Sequence, residues 1–241
     1  MIRYCFTFAD GSRAAFEVDE DLLPARMPRN SEGLPEYMDL DAHRCPHCPM
    51  PRGMRTVCPA FDAILPTIKT FDQRGSNETC DLTVEQSGVT HQTRTSVQNA
   101  VRSLIGLQLA LSGCPTMSRL RPMARFHMPF SDADQTLFRV FGMYMLKQYL
   151  RHVRGETPDW NLADLQAFYQ DIHHVNQHLA ARIRAATQKD AMVNGLVILD
   201  VLAHAVQRDL QSHLERLAPR FETLFAAPKT PGLTTITQRS S

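Results

Sequence analysis

The sequence predicts an α+β protein: a small antiparallel sheet with two helices in the order ββαββα, followed by a C-terminal helical bundle or hairpin. Three observations carry this. Two pairs of strand-like runs turn at Asp10-Gly11 and Ser87-Gly88, and such dipeptides favour tight hairpins. Each pair is followed by a helical stretch. Beyond about residue 130 the apolar residues keep a three-four spacing, the period of a helix face.

Arg3–Phe8 and Ala14–Val18 form the first pair of strands, and Asn77–Glu85 and Val89–Ser96 the second. Between them Ala60–Phe71 reads as a helix despite Pro66, which removes one donor from its interior. A second helix, Val97–Ser112, is capped by Thr95 or Ser96 and stopped by Gly113. In the C-terminal half, Asp132 and Gln135 have capping-box spacing ahead of a helix over Thr136–His152. That helix is apolar nearly all round, so a central position is expected. From Leu162 to Leu217 the apolar phase changes near Thr187–Asp190. This points to an antiparallel hairpin, with a single bent helix as the rival. Three regions result: 1–115, an α+β part with most of the cysteines; 116–227, helical and packed on it; and 228–241, a polar tail.

Of 241 residues, 43% are apolar, ordinary for a chain that buries a core, and the formal net charge is +1. No basic excess points to nucleic acid. The N-terminus lacks a signal peptide's apolar stretch, and no apolar run is long enough to span a membrane. A cytoplasmic protein is expected, in a compartment that keeps thiols reduced.

The six cysteines are then better read as ligands and bystanders than as three disulfides. Four of them precede proline: Cys45-Pro46, Cys48-Pro49, Cys58-Pro59 and Cys114-Pro115. With only 15 prolines in the chain, this pairing is unlike chance. Cys45, Cys48 and Cys58 close a proline-rich irregular stretch that begins near Leu22, and long irregular stretches are usually tied down by something. Two thiolates in Cys-x-x-Cys reach one centre, a third needs only a returning loop, and Cys114 would staple that loop to the rest of the fold. Cys5 and Cys80 lie in strands and read as buried thiols. For the group held, an iron–sulfur cluster of the four-iron type is favoured narrowly over zinc. One Cys-x-x-Cys pair with two single donors suits a cluster better than the two pairs of a zinc ribbon. His43 and His47 are alternative donors.

Four thiolates around either group leave a net charge of about −2. Arg119, Arg121 and Arg125, followed by His127, come just after Cys114 and are candidates to compensate it or to bind an anionic ligand. His174 with His178, and Asp200 with His204, repeat an i, i+4 spacing that a hairpin could bring together around a second metal. No phosphate loop, nucleophile elbow or zinc-protease motif occurs.

The string Cys45-Pro46-His47-Cys48-Pro49, Cys58-Pro59, Gly113-Cys114-Pro115 and Arg121-Pro122-Met123-Ala124-Arg125-Phe126-His127 resembles a family of uncharacterised bacterial proteins, grouped as a domain of unknown function. The resemblance implies a bacterial cytoplasmic protein with the family's fold, and it carries over no catalytic residues. Whether the chain is an enzyme stays open. The leading expectation is a redox or sensory module with a four-cysteine cluster. The alternative is a zinc-stabilised scaffold that binds an unidentified protein or its own copy. The weaker one is an enzyme acting on an anionic substrate beside Arg119–His127.

Overall fold

The computed structural model describes residues 1–19, 21, 29–53, 55–208 and 210–222. The expected α+β order is what it contains. Strands β1 (Ile2–Phe8) and β2 (Arg13–Val18) form the first hairpin, and β3 (Thr79–Gln86) and β4 (Val89–Ser96) the second. β1 also pairs with β3, in the register Ile2↔Gln86 to Phe8↔Cys80, giving an antiparallel sheet of order β2-β1-β3-β4. Ser87 and Gly88 turn the second hairpin with φ of 52° and 78°. Positive φ at both central positions matches the twist of the flanking strands, and glycine adopts it without steric cost.

One face of the sheet is apolar. Ile2, Tyr4, Phe6 and Phe8 alternate inward on β1, and Cys80, Leu82 and Val84 do so on β3. Two helices cover this face: α1 (Pro59–Phe71) and α2 (Val97–Ala110). Phe71 at the end of α1 meets Phe6, Phe8 and Phe16, with its ring centroid 5.0 Å from that of Phe6. Pro66 is tolerated in α1 because it sits on the exposed side of the helix.

The helical half follows as α3 (Arg121–Arg125), α4 (Ala133–Val153), α5 (Ala163–Ala186), α6 (Ala191–Arg208) and α7 (Leu210–Leu217). α5 and α6 are an antiparallel hairpin, not one bent helix. The chain leaves α5 at Thr187 with extended backbone. No Gly or Pro is needed, because side chains of the first half hold the turn. Gln188 N–H donates to Asp72 at 2.8 Å, and the Asp190 carboxylate accepts from Ser76 N–H at 2.8 Å and Ser76 Oγ at 3.0 Å. α6 then lies on α2. Gly195 permits the approach: a Cβ there would stand 3.2 Å from the Gln98 carbonyl and 3.4 Å from the Arg102 amide.

The capping box of α4 forms as expected, with Gln135 N–H donating to Asp132 and Asp132 N–H to the Gln135 side chain. The central position expected for α4 is not found. Leu137, Val140, Phe141 and Tyr144 are buried, but Phe138, Leu146, Tyr149, Leu150 and Val153 face solvent. An all-round apolar helix thus presents one face to the protein and one outward. The expected tail, 228–241, lies outside the described residues, as does 22–28 of the irregular stretch. Among the described residues no helix is long and apolar enough to cross a membrane.

Candidate metal centre

The stretch 29–58 is irregular, as its prolines predict, but it is closely tied. Its regular pieces are a single 3₁₀ turn, Glu36–Met38, and the isolated bridges Asn30↔Thr56 and Asp39↔Val57. Arg44 donates to the carbonyls of Cys48 and Met50 and pairs with Asp41 at 2.9 Å. The Cys45–Cys48 turn, closed by Cys48 N–H to the Cys45 carbonyl at 3.1 Å, is therefore braced from one side.

The Cys-Pro pairs have a local structural meaning at two of the four positions. Cys58 is the N-cap of α1 and Pro59 its first residue. Cys114 precedes the 3₁₀ turn Met117–Leu120, just after Gly113 with φ of 79°. Proline suits the first helical position, where no donor is needed. A cysteine in front of it then faces unpaired amides. The N–H groups of Ala60 and Phe61 lower the Cys58 pKa, and those of Thr116 and Met117 lower that of Cys114.

All four of these cysteines line one small cavity of about 20 Å³, although Cys114 is far along the chain from the other three. Burial dominates their acidity. It pushes Cys45 up to about 12, with Cys58, Cys114 and Cys48 adding to the rise, and Cys114 up to about 11. Cys58 is raised by burial as well. Without a cation beside them Cys45, Cys58 and Cys114 are protonated at neutral pH, and a metal would have to displace their protons. As the side chains stand, no three His, Cys, Asp or Glu among the described residues meet closely enough to hold one ion between them.

His43, His47 and His178 line the same cavity. His47 Nε2 is 3.1 Å from Thr116 Oγ1, while its Nδ1 is buried without a hydrogen bond and 3.7 Å from Asp171. The alternative donors noted in the sequence are thus half-buried residues of the site.

A buried positive charge at this cavity sits on a residue that the sequence reading did not single out. Arg182 on α5 is 1% exposed and lines the cavity. It donates to the carbonyls of Tyr37, Asp39 and Leu40 at 2.5, 2.6 and 3.0 Å, and its charge opposes the upward shift of Cys45 and Cys58. Arg119, Arg121 and Arg125 are not among the residues lining this cavity. Arg119 lies over the Phe168 ring at 3.9 Å and 3.9 Å from Asp171, the carboxylate it shares with His47. Arg125 is 3.6 Å from Asp21, and His127 is hydrogen-bonded to the Tyr4 hydroxyl. Sequence reasoning passed over Arg182, yet a signal was there. It falls on the stripe Val175, Leu179, Arg182, where a charge interrupts an apolar helix face.

The second metal site suggested by His174, His178, Asp200 and His204 does not assemble. His178 faces the cysteines, and the His174 ring centroid is 6.0 Å from that of His47. The neighbouring His173 meets Asp200 instead, at 2.9 and 3.0 Å, with Asn176 Nδ2 donating to the same carboxylate at 3.1 Å. Cys80 is buried in the core under β3, away from the site.

Fold and site together define an α+β protein with a four-cysteine cavity between an irregular N-terminal stretch and a helical hairpin. The chain belongs to the family described as Domain of unknown function (DUF6901), whose model matches residues 2–222. No curated protein and no solved structure matches it.

Proposed function

We propose that Cys45, Cys48, Cys58 and Cys114 hold an iron–sulfur cluster and that the protein is a redox or sensory module. The observation that carries this reading is the gathering of four cysteines from three separate parts of the chain around one cavity that also contains the buried Arg182. Such a cluster is held by four thiolates, each on a different iron atom, so its ligands surround a space. The four cysteines here line such a space. Bound there, the cluster would supply reversible one-electron chemistry. The chain's own residues would supply the rest: Arg182 a fixed positive charge, His47 and Thr116 a polar edge, and α5 a cover against solvent. A buried cation beside the ligands favours the reduced, more negative state.

Zinc in a non-enzymatic scaffold is the second reading, and two observations favour it. The enclosed space of about 20 Å³ suits one water-sized atom. The outward apolar face of α4 also suits contact with a protein, most simply a second copy of this chain.

Purification without oxygen, followed by visible absorption and iron, sulfide and zinc analysis, tests both. The cluster predicts a coloured protein that bleaches with reductant and loses iron and sulfide together in Cys114→Ser. A colourless protein with stoichiometric zinc establishes the second reading. A protein that takes up neither metal under reducing conditions overturns both.

A further inference from the structure

A mainly apolar cavity of about 340 Å³ is lined by α2, α3, α4, α5 and α6. It is separate from the cysteine site, and Leu107, Leu137, Ile172, Leu199 and Leu202 form much of its wall. Its size falls in the range of small-molecule sites, which are mostly apolar with a few polar groups fixing orientation. Met128 and Val201 line it and are exposed, so it is open to solvent. Gly106 also lines it, and a Cβ there would stand 3.6 Å from the Leu199 side chain.

Its polar groups are selective in kind. Arg102 and Arg139 both line it, and neither is paired with a carboxylate among the described residues. Arg139 Nη2 is held by the carbonyls of Met123 and Phe126 at 2.8 and 2.7 Å, which fixes the guanidinium at the wall next to the buried Tyr169. Arg102 has only a 3.5 Å contact to the Ser131 carbonyl. Partial burial lowers the pKa of both, the mark of cations that have lost water without gaining an anion. Asn176, 2% exposed, also lines the cavity. Its Nδ2 is used by Asp200, but its Oδ1 has no partner. The other titratable groups of the wall are His127, His213 and Asp132, whose carboxylate is engaged in capping α4.

We propose that this cavity binds a small, largely apolar monocarboxylic acid, its carboxylate against Arg102 and Arg139 and its hydrocarbon body between α2, α4 and α6. The proposal does not rest on the nature of the metal centre, which lies in a different cavity. Arginine suits the role because its planar fork matches a carboxylate and it stays charged when partly dry.

Calorimetric titration of the purified, metal-replete protein with decanoate, decanol and decylamine tests it. Decanoate is expected to bind about tenfold or more tighter than decanol, the contribution of charge-assisted hydrogen bonds, and decylamine not to bind. Arg102→Gln combined with Arg139→Gln should remove that preference, bringing decanoate to the affinity of decanol. Gly106→Leu, which adds bulk to the cavity wall beside Leu199, should abolish binding of both ligands. Retained circular dichroism and metal content show that the variants fold. Equal affinity for decanoate and decanol, binding of neither, or a preference that survives the double substitution would overturn the proposal.

Discussion

Arg182 and Cys58 line one cavity, and the charge of the first opposes the burial that raises the pKa of the second. The same guanidinium binds three backbone carbonyls of the irregular stretch. One side chain from the helical half therefore both anchors the cysteine loop and sets the electrostatic environment of its thiols.

Replacing Arg182 by leucine should separate these roles. The carbonyls of Tyr37, Asp39 and Leu40 would be left without their donor, a loss of about 2–4 kcal/mol. Arg182→Lys keeps the charge but not the planar fork, so it should retain more of the metal than of the stability. Urea denaturation and metal content, measured on both variants, check this. Equal losses for the two would show that only the fork matters.

Much of the fold was legible because its signals are local. The turn Ser87-Gly88, the box Asp132–Gln135 and the phase change near Thr187 each depend on residues a few positions apart. The repeated proline partner singled out four cysteines that line one cavity. What escaped depends on distant contacts. Periodicity could not say which face of α4 meets the core, because apolar residues occur on both. It also could not choose between His173 and its neighbour His174, since the rotation of α5 is set by the contacts of Val175, Leu179 and Arg182 with the cysteine region. The arginines after Cys114 were close in sequence, but the 3₁₀ turn and α3 carry Arg119 to Phe168 and Arg125 toward Asp21.

Cys58→Ser should lower the melting temperature of the metal-replete protein far more than Cys80→Ser. Both side chains are buried. The second substitution only exchanges a thiol for a hydroxyl in the core, a cost of about 1 kcal/mol. On the proposed reading the first would also remove a metal ligand, and metal affinity at a structural site adds to folding free energy. Prolonged treatment with chelator should bring the two variants close together. Equal melting temperatures before chelation would argue against a ligand role for Cys58.

Asp190 gives the protein an acid-sensitive joint. Hydrogen bonds from Ser76 hold its carboxyl below the ordinary value of 3.8. The folded state thus binds this proton less readily than the unfolded chain. The stability it contributes is complete above about pH 3.8 and is lost as pH falls through the lower folded-state value. Asp190→Asn should lower the melting temperature at neutral pH, by roughly 2–4 °C for each kcal/mol lost. It should also flatten the fall in stability on acidification below pH 4. A wild-type and variant pair with parallel acid profiles would place the joint elsewhere.

The outward face of α4 yields the last expectation. Leu146, Tyr149, Leu150 and Val153 are all exposed at three- and four-residue spacing, and the exposed Phe138 lies eight residues before Leu146, so the five share one side of the helix. Gly142, also on this stripe, has nothing within 4 Å of an added Cβ, which allows another helix to come close at its middle. Antiparallel pairing of two such helices would match the stripe with itself, as a two-fold interface requires. It would also bring Lys147 and Arg151, near one end, toward the acidic start of the partner's helix. The expected species in solution is a dimer, and Leu146→Glu combined with Tyr149→Glu should convert it to monomer in light scattering coupled to size-exclusion chromatography. Since both side chains are solvent-exposed within the single chain, metal content and helical circular dichroism should stay unchanged. A wild-type protein that remains monomeric at high micromolar concentration would show that this stripe does not pair with itself.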